Sequence, residues 1–425
     1  MIKQLNVLDL NGKSITIRLK SKYHREIRNL IINNGGFYKL EKKYKLNYIR
    51  IWQAIKINSI PLYILNILKN HFKIENIGEK IDSLKSYHGR KWIKNPQLII
   101  RVSPDLLEIL GHCMGDGYLT LKKGNTSNYT NTSKKLVGEF KRLCKNVFGE
   151  IELTTCLDKR FDAETVILPR IFATILTQFF PEALNKKLSP SIFNLSKDKI
   201  TSLIRAFADD ESCVTTSEIN YTQKDEALLE DIRQLHILLG FKEENLTPVK
   251  KRGGIHYFAI KGEGLKYFHE NVGFKHPCKK KALEVEIKRK NNKRVIWTRD
   301  LVKKEITFAL DSPKTIQELS CIIGVQPSII RKHIKQLEKR GYVKIAAYGK
   351  YNVPVWVKVK EYTLINDRRK DTIMDFLRDT QVSTLEISKK IYLGKDRTLS
   401  YLSELKKENK INCKVKGKTY LWYLE

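Results

Sequence analysis

Two segments of the sequence follow one pattern: ILGHCMGDG at residues 109–117 and IRAFADDES at residues 204–212. In each, an apolar helical stretch with small residues runs into acidic residues, Asp116 in the first and Glu211 in the second. Carboxylates at the C-terminal end of a helix are disfavoured by the helix dipole. Their recurrence at matching places indicates that something stabilises them there.

The sequence around these segments, from about residue 99 to 276, is also repeated. Each copy predicts the order helix, strand, strand, helix, strand, strand, helix. Ser103 with Pro104 caps the first helix of one copy, and Ser196 caps that of the other. The second helix of each copy ends at a glycine, Gly149 or Gly240. We therefore predict an internally duplicated α+β core.

Small side chains in the two acidic helices predict that the helices pack closely. The expected helix interface comprises Gly111, Gly115 and Ala206. Close packing brings Asp116 and Glu211 together, and paired like charges are costly unless a cation binds between them. We expect a divalent metal, Mg²⁺ or Mn²⁺, at this point. The alternative is that each acid is a solvated surface residue.

The two segments resemble the paired LAGLIDADG motifs of single-chain homing endonucleases, and the flanking phrases at 189–207 and 274–283 resemble archaeal members. The resemblance implies a pseudosymmetric αββαββα core whose two saddle-shaped, four-stranded sheets lie in the DNA major groove. It implies that Asp116 and Glu211 are the catalytic carboxylates and metal ligands. The carbonyls of Gly115 and Asp210 would add metal ligands. Lys187 and Lys279 match the family's active-site lysines, and the adjacent Lys186 and Lys280 are the alternatives. Ser212 departs from the motif, which usually closes with glycine.

Alternate residues on the predicted strands are candidates for reading DNA bases, because alternate side chains share one face of a sheet. Any solvated sheet also shows polar residues, so that interpretation stays open. The candidates are Tyr118, Thr120, Lys122, Asn128 and Thr130 in the first copy, and Thr215, Ser217, Asn220, Thr222, Lys250 and Arg252 in the second.

The composition favours a polyanionic partner. The chain has 425 residues, with 80 Lys and Arg against 46 Asp and Glu, a formal net charge of +34. Neutralising phosphates with Lys and Arg releases counterions and drives association. We expect double-stranded DNA as the partner, with intron RNA as a further possibility. No apolar run is long enough to span a bilayer, so we expect no membrane partner. The sequence shows no secretory signal pattern, so we expect a cytoplasmic location. The resemblance to single-chain, archaeal-type endonucleases further implies a monomer from a prokaryote.

The segments outside the repeat predict accessory modules. Residues 37–57 read as a helix-turn-helix pattern in which Asn47 caps the second helix and Ile49, Trp52 and Ile55 form the apolar face. After residue 298, two runs of three helices and a hairpin are typical of winged helices, and Thr315 caps the second helix of the first run. Their third helices supply further candidate DNA contacts: Arg331, Lys335 and Arg397.

The predicted domains follow from these patterns. They are an N-terminal helix-turn-helix-like domain at 1–95, the first repeat at 96–195, the second repeat at 196–285, a charged linker at 286–298, and winged helices at 299–360 and 361–425.

Together with these patterns, the resemblance implies a metal-dependent endonuclease that breaks both strands of DNA at a long recognition site, as in intron homing. Two alternatives remain at this point. One is a DNA-binding regulator that kept the scaffold without catalysis, and the other is an RNA maturase that aids intron splicing.

Overall fold

The computed structural model describes residues 2–10, 15–86, 89, 91–122, 124–158, 163–215, 217–291, 299–325, 327–348, 353–360, 365–378, 381–390, 395–416 and 419–424. The chain divides into two compact units, Met1–Asn291 and Asn292–Glu425. Helices alternate with small antiparallel sheets in both, which confirms the predicted α+β class. No helix of the described residues is long and apolar enough to cross a membrane.

The first hundred residues form a four-stranded sheet with four helices and are continuous with the core that follows. Their elements are β1 (Gln4–Asn6), β2 (Ile15–Leu19), α1 (Ser21–Asn33), α2 (Gly36–Tyr44), α3 (Tyr48–Lys56), β3 (Ile60–Pro61), α4 (Leu62–Phe72), β4 (Ile81–Ser86), β5 (Ile93–Lys94) and β6 (Ile99–Arg101). The sheet order is β3-β2-β4-β5, and β1 pairs with β6. Backbone bonds join Lys94 to Glu150, so this region packs directly on the first repeat.

Helix α3 begins as the sequence predicts, because the Asn47 side chain accepts a hydrogen bond from the N–H of Arg50. Its predicted apolar face is confirmed only at Ile55. Ile51 and Ala54 are the other buried residues, whereas Ile49 and Trp52 are exposed. Apolar residues lie on both sides of this short helix, so periodicity alone did not determine which side packs on the sheet.

The two halves of the core have the same order of elements. The first half contains α5 (Pro104–Met114), β7 (Gly117–Tyr118), β8 (Ser127–Asn131), α6 (Lys134–Phe148), β9 (Thr154–Asp158), β10 (Ala163–Leu168) and α7 (Arg170–Phe179). The second half contains α8 (Lys197–Glu211), β11 (Ser212–Thr215), β12 (Glu218–Gln223), α9 (Glu226–Leu238), β13 (Lys250–Arg252), β14 (Ile255–Lys261) and α10 (Gly264–Asn271). The sheet orders correspond, β7-β8-β10-β9 and β11-β12-β14-β13.

Local sequence explains where these elements begin and end. Ser103, Ser133 and Asp225 accept hydrogen bonds from backbone N–H groups at the starts of α5, α6 and α9. Strand β12 alternates buried Ile219 and Tyr221 with outward polar residues. After α9, residues 243–245 form a 3₁₀ turn, Leu246 forms an isolated β-bridge with Ile260, and strand β13 begins at Lys250.

A further helix, α11 (Pro277–Asn291), follows the second half and covers residues 286–291 of the segment that the sequence predicts to be a linker. The hydrophobic core of this unit is continuous from the N-terminal sheet through both halves. The C-terminal ends of α5 and α8 lie inside it, which positions the site described below.

The C-terminal unit contains two modules of three helices and a three-stranded sheet, each with its own core. The first has α12 (Arg299–Ala309), β15 (Lys314–Thr315), α13 (Ile316–Ile323), α14 (Pro327–Lys339), β16 (Val343–Tyr348) and β17 (Pro354–Lys358). The second has α15 (Ile365–Phe376), β18 (Val382–Ser383), α16 (Thr384–Lys390), α17 (Lys395–Lys407), β19 (Asn412–Lys416) and β20 (Thr419–Tyr423). The predicted cap at Thr315 is confirmed, with a full capping box to Glu318.

Candidate active site

Helices α5 and α8 approach so closely that glycine is required at their contact. A Cβ atom on Gly111 would lie 2.5 Å from the carbonyl oxygen of Leu203 and 2.8 Å from the Cβ of Ala206. A Cβ atom on Gly115 would lie 2.7 Å from the Cβ of Asp210. The structure thus places the three residues of the predicted helix interface at the contact between the helices, and the two acidic helix ends meet there.

Each predicted catalytic acid is held by a side-chain amide from its own half. Asn131 Nδ2 donates to Asp116 Oδ2 at 3.0 Å, and Gln223 Nε2 donates to Glu211 Oε1 at 3.1 Å. Asn131 and Gln223 each lie at the end of a strand, two residues before the N-cap of the next helix. The sequence analysis missed this pair. Aligning the two copies on their N-caps would have found it.

The two acids also interact electrostatically. Burial among surrounding protein atoms raises the pKa of Glu211 to about 7, and the negative charge of Asp116 adds to the shift. Burial likewise raises the pKa of Asp116 to about 6, with Asp210 adding and Lys279 opposing. Asp116 is exposed, so solvent reaches its carboxylate even though protein atoms surround it. The charge of an acid in the first half thus affects the ionisation of an acid in the second half.

The carboxylate of Asp210 connects the two halves. It accepts hydrogen bonds from Tyr129 Oη at 3.0 Å and Asn131 Nδ2 at 3.1 Å, and it lies 2.9 Å from His112 Nδ1. The side chains of both Asp210 and His112 are completely buried. Burial acts to lower the pKa of His112, but the hydrogen bond and charge of Asp210, together with the charges of Asp209 and Glu108, outweigh burial and raise it. His112 and Asp210 therefore form a buried pair across the helix interface, and this pair favours the protonated imidazole.

Hydrogen bonds join the C-terminal end of α8 to the residues at the start of α11. Both carboxylate oxygens of Asp209 accept the backbone N–H of Lys275 at 3.1 Å, and one accepts that of His276 at 2.9 Å. In return Lys279 Nζ donates to the carbonyls of Ala208 at 3.1 Å and Asp210 at 3.3 Å. Carbonyls at a helix end have no intrahelical partner and attract cations. Lys279, a predicted active-site lysine, thus lies at the end of α8.

A different lysine from the predicted one reaches the end of α5. Lys186 Nζ donates to the carbonyl of Gly115 at 2.8 Å. Lys187 is exposed, and its backbone N–H donates to the carbonyl of Glu182. Lys186 has a left-handed backbone, with φ of 53°, which turns its side chain toward the site. Two adjacent lysines carry no local signal that distinguishes them, so the sequence analysis favoured Lys187 and left Lys186 as the alternative.

Strand register places many of the predicted DNA contacts on a common outward face of each sheet. Tyr118 pairs with Asn128 on the first sheet, and Thr130 pairs with Thr165. On the second sheet Thr222 and Lys250 both pair with Tyr257. The same face of the second sheet carries Thr215, Asn220 and Arg252.

Three of the predicted contacts do not lie on these faces. Thr120 is buried and its side chain accepts the N–H of Lys122, which corrects the expectation that it points outward. Lys122 is exposed but lies outside the strands. Ser217 lies in the turn between β11 and β12, where its N–H donates to Glu286. The two short turns interrupt the alternation on which the prediction rested.

The predicted contacts in the C-terminal unit lie on third helices. Arg331 and Lys335 are exposed on α14. Arg397 belongs to α17, and its side chain lies outside the described residues.

The donor atoms at the helix ends fit a hard divalent cation in part. Asp116 and Glu211 offer carboxylate oxygens, which Mg²⁺ and Mn²⁺ prefer. The predicted carbonyl ligands of Gly115 and Asp210 each accept a hydrogen bond from a lysine. Among the described residues no group of three or more His, Cys, Asp or Glu side chains is arranged to hold a metal. A cation here would thus depend on the two carboxylates.

Comparison with known proteins gave one family match and several solved structures. The family described as "Bacterial regulatory protein, arsR family" matches residues 303–344, within the first C-terminal module. No curated protein matches the sequence.

The solved structures resemble the chain weakly. The homing endonuclease I-DmoI, in complex with DNA and Mn, is 18% identical with a TM-score of 0.32, over 40% of this chain and 97% of its own. Full-length DUF199/WhiA from Thermotoga maritima is 14% identical with a TM-score of 0.32, over 72% of this chain and 90% of its own. The homing endonuclease I-WcaI, bound to its DNA recognition sequence, is 13% identical with a TM-score of 0.27, over 40% and 81%.

Proposed function

We propose that the protein is a metal-dependent endonuclease that hydrolyses a phosphodiester in each strand of duplex DNA, with Mg²⁺ or Mn²⁺ as the cofactor. The observation that carries the proposal is the convergence of Asp116 and Glu211. Each acid lies at the C-terminal end of an equivalent helix and is held by an equivalent amide, and the charge of Asp116 contributes to the raised pKa of Glu211. Two matching acids suit two matching reactions.

The surroundings of the acids support duplex DNA as the substrate. The two sheets of the core have the same strand order and present polar outward faces with Lys250 and Arg252. Sheet strands that carry polar side chains can read base edges in the major groove. The net charge of +34 favours a phosphate backbone. We propose saddle-shaped sheets that contact DNA on both sides of the acids.

In this mechanism the chain's own groups bind and orient. Asp116 and Glu211 would hold the cation, and Asn131 and Gln223 fix the direction of their carboxylates. The cation would neutralise charge on the phosphate and on the 3′ oxygen that leaves. Lys186 and Lys279 place positive charge at the two helix ends, where it stabilises the phosphorane. Lys187, the lysine that the sequence favours, is the alternative for the first half.

The lysines also support a second candidate function, a DNA-binding regulator without catalysis. Lys186 and Lys279 bind the carbonyls that a cation would use, so they neutralise the helix ends by themselves. The arsR-family match at residues 303–344 agrees with a regulator. A carbonyl oxygen has two lone pairs, so a lysine and a cation can share it. The two functions therefore differ in cleavage rather than in binding.

The test is cleavage of a supercoiled plasmid library that carries the DNA flanking the gene, with and without Mg²⁺. We expect Mg²⁺-dependent linear products from the wild type and a loss of at least a thousandfold in Asp116→Asn and in Glu211→Gln. DNA binding should persist in both variants. Glu244→Gln removes an exposed carboxylate far along the chain and should cleave normally. Footprints without cuts would favour the regulator, and cleavage that survives both substitutions would refute the assigned roles.

A further inference from the structure

Helix α3 of the N-terminal region exposes a surface that neither the acids nor the two core sheets use. It buries only Ile51, Ala54 and Ile55. The remaining side chains face solvent and combine aromatic, apolar and basic groups. We call this the α3 surface, and it consists of Tyr48, Ile49, Arg50, Trp52, Gln53 and Lys56.

The α3 surface is unusually apolar for one that faces water. Tyr48 is 46% exposed, Ile49 45% and Trp52 41%. Exposed apolar residues that cluster mark binding sites more often than scattered ones do. Lys56 Nζ lies 4.6 Å from the centre of the Trp52 ring, so the two side chains form a cation–π contact.

The charge around this helix identifies the partner as an anion. Residues 20–73 contain twelve Lys and Arg against two Glu. Within that stretch, all of which the structure describes, none of the twelve forms an ion pair. Partial burial together with Lys43 and Lys39 lowers the pKa of His71, as expected in a positive potential. Unpaired basic residues of one sign focus a field that attracts phosphates.

We propose that the α3 surface is a second contact with duplex DNA, separate from the core sheets. Arg50 and Lys56 bind backbone phosphates, and Trp52 packs on the sugar edge between them. A helix of this size fits the major groove, and phosphate contacts fix its position there. The region is joined to the first half by backbone bonds between Lys94 and Glu150 and by Ile171 N–H to Ser86 Oγ. The α3 surface is therefore held on the same compact unit as the acids and would lengthen the bound DNA.

The experiment measures binding of the full chain to a labelled 40-bp duplex by fluorescence anisotropy, without divalent ions and across a series of salt concentrations. Arg50→Ala/Lys56→Ala should weaken binding about tenfold at moderate salt. It should also make the salt dependence shallower by about two in log–log slope, because each lost phosphate contact removes about 0.9. Trp52→Ala should weaken binding without changing the slope.

A matched control removes the same charge elsewhere. Lys242→Ala/Lys266→Ala takes away two exposed lysines of the second half that face Glu244 and Glu270. It should change affinity less than threefold, and Arg50→Lys/Lys56→Arg should bind like the wild type. Unchanged thermal unfolding shows that the variants fold.

Two results would overturn the inference: an Arg50→Ala/Lys56→Ala variant that binds DNA like the control, or one that loses binding only to a 40-bp duplex RNA. The inference rests on the proposed function only for its choice of duplex DNA, and its readout is binding. Binding through α3 without any cleavage would refute the nuclease and leave the surface in place. Cleavage by the wild type, together with α3 variants that bind DNA as tightly as the wild type, would support the nuclease and refute the α3 contact.

Discussion

The two halves of the core share their order of elements, but different contacts stabilise the C-terminal ends of α5 and α8. The residue before the acid is Gly115 in the first half and Asp210 in the second. The single carbonyl of Gly115 accepts from Lys186, whereas Lys279 donates to several carbonyls at the end of α8. The side chain of Asp210 occupies the space beside Gly115 and is bound by residues of the first half. The aspartate that replaces glycine in the second half thus supplies contacts that join the two halves.

Two buried histidines show the same contrast. His112, in the first half, lies beside Asp210, and its pKa is raised against the effect of burial. His236, in the second half, has no acid beside it, and burial lowers its pKa to about 4. Its ring nitrogens lie 3.1 Å from Tyr221 Oη and 2.8 Å from the carbonyl of Ile232. The comparison teaches that the repeat conserves backbone positions while the buried charges differ between its halves.

The largest expected effect concerns the buried His112–Asp210 pair that joins the halves. Asp210→Ala removes the shared hydrogen-bond partner of His112, Tyr129 and Asn131, so we expect a loss of about 3–5 kcal/mol in the free energy of unfolding. Urea denaturation measures it. In a double-mutant cycle, Asp210→Ala/His112→Ala should lose clearly less than the sum of the single changes. Additive losses would show that the pair does not couple the halves.

The next effect tests the close approach of α5 and α8. Gly111→Ala forces a Cβ against the Leu203 carbonyl and should cost about 1–3 kcal/mol. The matched control is Gly138→Ala at an exposed position of α6, where the new Cβ meets nothing within 4 Å. The control should gain roughly 0.5–1 kcal/mol from helix propensity. Equal effects at the two glycines, measured by urea denaturation, would contradict the packing.

The histidine contrast gives a pH dependence. His236 stays neutral in the folded state down to about pH 4, whereas an unfolded histidine takes up a proton near pH 6.5. The unfolded state therefore binds more protons between these values, and stability falls as the pH falls. His236→Phe removes this contribution. From pH 7 to pH 5, the difference in unfolding free energy between wild type and variant should shift by about 2 kcal/mol. A pH-independent difference would refute the neutral state of His236.

The smallest effect separates the adjacent lysines. The structure favours Lys186 and the sequence favours Lys187 as the lysine of the first half. Lys186→Met should reduce the rate of plasmid cleavage about tenfold, equivalent to about 1.4 kcal/mol. Lys187→Met should reduce it less, because that side chain is exposed. A larger loss in Lys187→Met would restore the sequence-based assignment.

Local patterns predicted much of this molecule. Caps at Asn47, Ser103 and Thr315 and the duplicated order of elements were readable because they depend on neighbours along the chain. The contacts that complete the site were not readable. Asp210 meets Tyr129 across 81 positions, and Lys186 meets Gly115 across 71. Such pairs depend on how the halves dock, which periodicity does not encode.

The central claim is that Asp116 and Glu211 form one cation site, and Mn²⁺ binding to the full chain tests it most directly. Electron paramagnetic resonance titration at pH 8, where both acids are ionised, measures free Mn²⁺. The account predicts saturable binding in the wild type and in Glu244→Gln, weakened at least tenfold by either Asp116→Asn or Glu211→Gln. Equal Mn²⁺ affinity in all four proteins would contradict a shared site.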